Sequence, residues 1–163
     1  MNALRILWRP WTIGLIALAF AFLHTYDYTM DRKLSSTGDN YSYLALSDNL
    51  IAGNGYALTT SGEISPQNWF PPGYPAWLAL WKRFGFQEIV FFKWLNGACA
   101  LLAIAVWMLV GASWSPPRFA MVAWASAILV SLNASFLEFG QIIMSEMLYL
   151  LLMTLAMFFQ PFP

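Results

Sequence analysis

The run IVFFKWLNGACALLAIAVWMLVG at residues 89–111 decides the class of this chain. Its one charged residue, Lys93, stands beside Trp94 at one end, and Trp107 lies near the other. A hydrocarbon core about 30 Å thick needs roughly 20 helical residues, and tryptophans flank such segments where their rings reach the headgroups. The run therefore predicts a membrane-spanning helix. The whole chain agrees with it. Of 163 residues, 60% are apolar, 18% aromatic and only 10% charged, with a mean hydropathy of +0.57, whereas soluble domains carry about 25% charged residues. Eight basic residues balance eight acidic ones. That balance excludes a nucleic-acid binder, which needs a basic face to neutralise phosphates. Cys99 is the single cysteine, so neither a disulfide framework nor a cysteine-based metal site can be built, and it reads as a small buried hydrophobe.

Outward from residues 89–111, three more stretches are long and apolar enough to consider as spans. The first covers residues 6–26, anchored by Trp11 and Tyr26. A cleaved signal peptide is the competing reading, but Leu23-His24-Thr25-Tyr26-Asp27 offers no small-x-small cleavage site. Beyond residue 111, Ser113-Trp114-Ser115-Pro116-Pro117 breaks the helix. Spans at 118–132 and 141–159 follow, separated by a short polar joint from Asn133 to Glu138. The expectation is an all-α, multi-pass integral membrane protein. It forms one module over residues 1–163, with four transmembrane helices and an outer loop at 27–88. With the N-terminus inside, Arg5, Arg9 and Arg118 are cytoplasmic and all eight acids fall on the outer side or its interface. Arg32, Lys33, Lys82, Arg83 and Lys93 run against this, but the positive-inside tendency is weak over long loops. The expected location is a bacterial inner (plasma) membrane with both termini cytoplasmic.

Loops as long as 27–88 are usually functional or disordered. This one carries Tyr41, Tyr43, Tyr56, Trp69, Phe70, Tyr74, Trp77 and Trp81, too aromatic a composition for disorder. Residues 39–51 read as a short helix, capped by Asp39 or Thr37 and stopped by Gly53-Asn54-Gly55. A second, from Pro75 to about Phe84, follows Phe70-Pro71-Pro72-Gly73-Tyr74-Pro75 and ends in Lys82-Arg83. Its tryptophans and terminal charges suit the interface plane.

The order of these pieces resembles a known superfamily. A cytoplasmic-start helix is followed by Gly38-Asp39 and Tyr43-Leu44-Ala45-Leu46-Ser47-Asp48-Asn49-Leu50. Gly53-Asn54-Gly55-Tyr56, then Pro71-Pro72-Gly73-Tyr74-Pro75, then Met144-Ser145-Glu146 complete the series. This is similar to the N-terminal module of the GT-C superfamily, integral-membrane glycosyltransferases of the dolichyl-phosphate-mannose protein mannosyltransferase type, with bacterial relatives that use polyprenyl-phosphate sugars. The resemblance covers about residues 6–159 and corresponds to the first third of a family member. It implies an inverting hexosyl- or pentosyltransferase, or its N-terminal fragment, working at the outer membrane face. Its partners would be a lipid-linked sugar donor, membrane lipid and an acceptor glycan, lipid or protein, with no nucleic acid.

The resemblance places the catalytic acid at Asp39. Transfer from a lipid phosphate needs a carboxylate to take the acceptor's proton as the new bond forms; the structural alternative is that Asp39 only caps its helix. Asp48, nine residues on, falls on the opposite side of the same helix at about 100° per residue and reads as a solvated or helix-end acid. Glu146 resembles the acid of the second outer loop, which binds donor or metal, and an ionisable group within a span is a functional hypothesis by default. Its alternative is a helix-start acid favoured by the macrodipole. Glu138 is the second choice for that role. Lys82, Arg83 and Lys93 are candidates for the donor phosphate, or simply snorkel to the interface. Asp39 and Glu146 are expected to converge on one chamber, with room for a divalent cation, Mg or Mn, between them.

Weaker signals add little. His24 has no second histidine or cysteine at ligand spacing. Asn40-Tyr41-Ser42 and Asn133-Ala134-Ser135 match the glycosylation sequon, which matters only in a secretory pathway. No Gly-rich phosphate loop, nucleophile elbow or zinc motif is present. The function class competing with the transferase is a non-catalytic small membrane protein, a partner subunit or inactive remnant of such an enzyme.

Overall fold

A computed structural model describes residues 10–35, 39–60, 62–113 and 118–160. The chain is mainly helical, in the order α1 (Pro10–Thr29), α2 (Asn40–Ala52), β1 (Ala57–Thr60), β2 (Glu63–Pro66), α3 (Gly73–Arg83), α4 (Ile89–Ser113), α5 (Arg118–Ser131), α6 (Ala134–Gln141) and α7 (Glu146–Phe159). Helix α4 is the axis of the fold: α1, α5, α6 and α7 all pack against it. Leu18, Phe22 and Tyr26 of α1 meet Cys99, Ala100, Ile104 and Met108 of α4 in the larger core. A second core joins the segment between α1 and α4 to the other helices, with Tyr43 of α2, Tyr74 and Leu78 of α3, Phe92 of α4 and Ile143.

The segment between α1 and α4 is folded, as its aromatic content implied. Helix α2 ends where expected: Gly53 takes the left-handed conformation at φ 79° and returns its N–H to Asn49 O. Helix α3 begins two residues earlier than expected, at Gly73, because Pro75 is compatible with a first helical turn. Between them lies an antiparallel hairpin pairing Ala57 with Pro66 and Thr60 with Glu63. The expectation of helices alone missed it, although Thr59-Thr60-Ser61-Gly62-Glu63-Ile64 carries a two-residue turn between β-prone residues, and Gly62 supplies the positive φ of 86°.

The expectation of four spans requires correction. Among the described residues one helix, over Ile89–Gly111, is long and apolar enough to cross a membrane, or two if the bent pair α5–α6 is one span. Three causes are visible. Asn133 starts a new helix by accepting the Phe136 N–H, so the expected polar joint is helix α6, bent by 64° from residues 121–131. Helix α5 keeps 14 residues, about 21 Å at about 1.5 Å per residue. The expected fourth span starts at Glu146, since residues 142–145 are not helical, and α7 is also 14 residues long. The third cause lies in α1, whose C-terminal turns bring His24, Thr25 and Asp27 into an otherwise apolar helix. Residues 6–9 of the expected first span lie outside the described residues.

Candidate functional site

Where α1 ends and α4 begins, several buried polar groups collect. Tyr26 is fully buried, and its hydroxyl donates to the carbonyl oxygens of Lys93 at 2.7 Å and Gly140 at 2.6 Å. One hydrogen serves both, because a phenol has only one to give. The ring fits because two neighbours lack side chains. A Cβ at position 97 would stand 2.8 Å from the Tyr26 ring, and one at position 140 would stand 3.1 Å from it. Beside it, Gln141 Nε2 donates to Thr29 Oγ1 at 2.8 Å.

Two asparagines then fix the break between α6 and α7. Asn96 Nδ2 donates to Ile142 O at 2.7 Å, while its Oδ1 accepts from the Tyr74 hydroxyl at 3.0 Å. Asn40 Oδ1 accepts from the Ile143 N–H at 2.8 Å, and its Nδ2 donates to Ser35 O at 3.0 Å. The start of α2, the start of α3, helix α4 and residues 142–143 are thereby pinned together. Sequence reading missed Asn40 and Asn96. The available signal for Asn96 was an amide inside an apolar run, which must find partners when buried; Asn40 was read only as part of a sequon.

Asp39 therefore sits one residue before a pinned position. It occupies the N-cap site of α2, but with φ −92° and ψ 12° its side chain makes no capping hydrogen bond, because the capping geometry needs extended backbone. The capping alternative for Asp39 is thereby corrected; its carboxylate is exposed. Thr37 lies outside the described residues. Glu146 is exposed at the first position of α7, three residues past the N–H that Asn40 holds. Burial raises the Tyr74 phenol well above its ordinary value, and the Glu146 charge adds to the rise. The segment that begins at Asp39 is thus hydrogen-bonded, through Asn40, to residue 143, three residues before Glu146.

The other expected site residues lie apart or are engaged. Glu138 is exposed on α6. Lys82 binds Asp48 Oδ1 at 2.6 Å, so Asp48 is an ion-paired acid rather than a merely solvated one. Lys93 is buried, with its Nζ donating to Asp31 O, which accounts for it without a ligand phosphate. Arg83 is exposed at the end of α3. Among the described residues no group of three His, Cys, Asp or Glu side chains is placed to hold a metal ion. Compared with protein-family models, curated proteins and solved structures, the chain matches none.

Proposed function

We propose that the chain is a glycosyltransferase, or the N-terminal part of one, that transfers a sugar from a polyprenyl-phosphate donor to an acceptor at the outer face of a bacterial inner membrane. The observation that carries this reading is the Asn40–Ile143 hydrogen bond of 2.8 Å. It holds the segment bearing the uncapped Asp39 against the turn that leads into Glu146. In the transfer, the acceptor oxygen forms a bond to the anomeric carbon and the bond from that carbon to the phosphate oxygen breaks. The lipid phosphate leaves with the electron pair, and the acceptor's proton passes to Asp39. Glu146 positions the donor or acceptor at the same mouth.

A multi-pass membrane setting is supported by exposed apolar side chains on several helices: Ile16 and Phe20 on α1, Met121 and Leu129 on α5, and Leu152 and Phe159 on α7. Large apolar side chains exposed on this many helices suit lipid better than water as the surroundings. The test is Asp39→Asn. Product formed from a radiolabelled polyprenyl-phosphate sugar falls at least about a hundredfold, the scale of a lost general base, while the membrane level of the protein stays normal. Undiminished product overturns the assignment. A reporter inserted near Gly62 reads as external; a cytoplasmic reading would put Asp39 on the wrong side.

A further inference from the structure

We infer that the cavity between the end of α2 and the α3–α4 turn binds a neutral, hydroxyl-rich ligand, a carbohydrate ring. The cavity measures about 340 Å³ and is lined by Asp48, Ile51, Ala52, Lys82 and Gln87, within the range of small-molecule pockets. Lys82 is its built feature. Its side chain is 8% exposed, and Nζ donates to Asp48 Oδ1 at 2.6 Å and to Leu44 O at 3.3 Å, with the Phe92 ring centroid 6.0 Å away. An ammonium has three N–H donors, so one is left for a ligand among the described residues.

Charge selects the ligand class. Lys82 and Asp48 cancel, so a phosphate would have to pull Lys82 from a short ion pair, and a cation would have to displace Lys82 from Asp48. A neutral polyol does neither. One hydroxyl donates to the second Asp48 oxygen, and its neighbour accepts from Lys82 or from the Gln87 amide. Ile51 and Ala52 offer an aliphatic wall to the C–H face of a ring. Asp48 is 67% exposed at its side chain, which leaves that oxygen open to a ligand. The site stands nine residues along α2 from Asp39, and binding there does not depend on the transfer reaction; where both hold, the cavity receives the acceptor.

The experiment is equilibrium dialysis of the full chain in lipid nanodiscs, with radiolabelled methyl α-glucopyranoside and methyl α-mannopyranoside as probes and inorganic phosphate and Mg, each assayed directly, as controls. The wild-type chain is expected to retain a glycoside and neither ion. Ala52→Trp, which adds an indole to the cavity lining, weakens glycoside binding at least about tenfold, equivalent to about 1.4 kcal/mol. Asp48→Asn loses glycoside to a similar extent and, with Lys82 uncompensated, gains phosphate. Absence of glycoside binding, phosphate or Mg binding by the wild-type chain, or glycoside binding unchanged in Ala52→Trp overturns the proposal. Asp39→Asn retains glycoside binding while losing transfer, so the two readings fail separately.

Discussion

At the end where it begins, α4 presents Lys93 and Asn96 to hydrogen bonds that reach α1, α3 and residues 140–142, with Gly97 set against the Tyr26 ring. Along its other half, Ala103, Ile104 and Trp107 border an apolar groove of about 360 Å³ shared with α5 and α7. The polar groups in that groove are satisfied locally: Trp107 Nε1 donates to Ser126 Oγ at 2.9 Å, and Thr154 Oγ1 to Leu151 O at 2.9 Å. One helix is therefore fixed by direction-dependent bonds at one end and by adaptable apolar contact at the other. Hydrogen bonds specify which segments meet, because an unmatched buried donor or acceptor is expensive. Apolar contact tolerates changes of volume as long as no strain is forced. The candidate site lies at the specified end, where side chains must be held in place for chemistry.

The sharpest way to break this comparison is to add volume at the tight end. Gly97→Leu would press a side chain into the Tyr26 ring, 2.8 Å from the added Cβ, and both are buried in the same core. We expect a loss of about 3 kcal/mol, at the upper end of overpacking costs, read as a lowered denaturation midpoint in detergent or as loss of folded protein. Unchanged stability would show that the Tyr26 ring is not clamped.

Tyr26→Phe keeps the ring and removes the hydroxyl. It leaves Lys93 O and Gly140 O without this donor and is expected to cost about 2 kcal/mol, within the range for an unmatched buried polar group. Asn40→Ala unpins α2 from Ile143 at about 1–2 kcal/mol. It should lower transfer more than stability, because it acts through the placement of Asp39. A transfer rate that tracks stability alone would reduce Asn40 to a structural staple.

Much of the apolar frame was legible in the sequence, and the polar junction was not. The run at 89–111 declared α4 by its hydropathy, and Gly53 declared the end of α2 by its need for positive φ. The break at residues 142–145 was invisible because Ile142, Ile143 and Met144 are apolar and favour continuing the helix. What stops it is tertiary: two amides, Asn40 and Asn96, take the backbone groups of Ile142 and Ile143. Asp39 was legible only as a candidate, since the same residue type caps helices; the backbone at ψ 12° removed that alternative. Lys93 read as a phosphate ligand or snorkelling group from its place beside Trp94, and only the fold shows it turned inward to Asp31 O.

A pH test sharpens the same junction more gently. Tyr74 is buried and its phenol is raised above the usual 10.0, so the folded state holds this proton more tightly than the unfolded state. Its contribution to stability is complete below about pH 10 and declines as pH rises further, by at most about 1.4 kcal/mol per unit. Tyr74→Phe should flatten the alkaline limb of the stability profile measured from pH 9 to 11. An unaltered limb would mean that other groups govern alkaline unfolding.

The smallest effect is expected at the loose end of α4. Ala127 is 2% exposed and lines the groove that α5 shares with α4 and α7, so a leucine there grows into open apolar space rather than into a ring. Each methylene newly buried contributes roughly 0.8 kcal/mol against water, and less where the methylene replaces contact with a detergent chain, which is itself apolar. Ala127→Leu should therefore stabilise by less than about 1 kcal/mol, where the same side chain at position 97 is strongly destabilising. The two variants are compared by denaturation midpoint in one detergent. If Ala127→Leu lowers the midpoint as far as Gly97→Leu does, the groove is as tightly specified as the junction, and the division of α4 into a bonded half and an adaptable half does not stand.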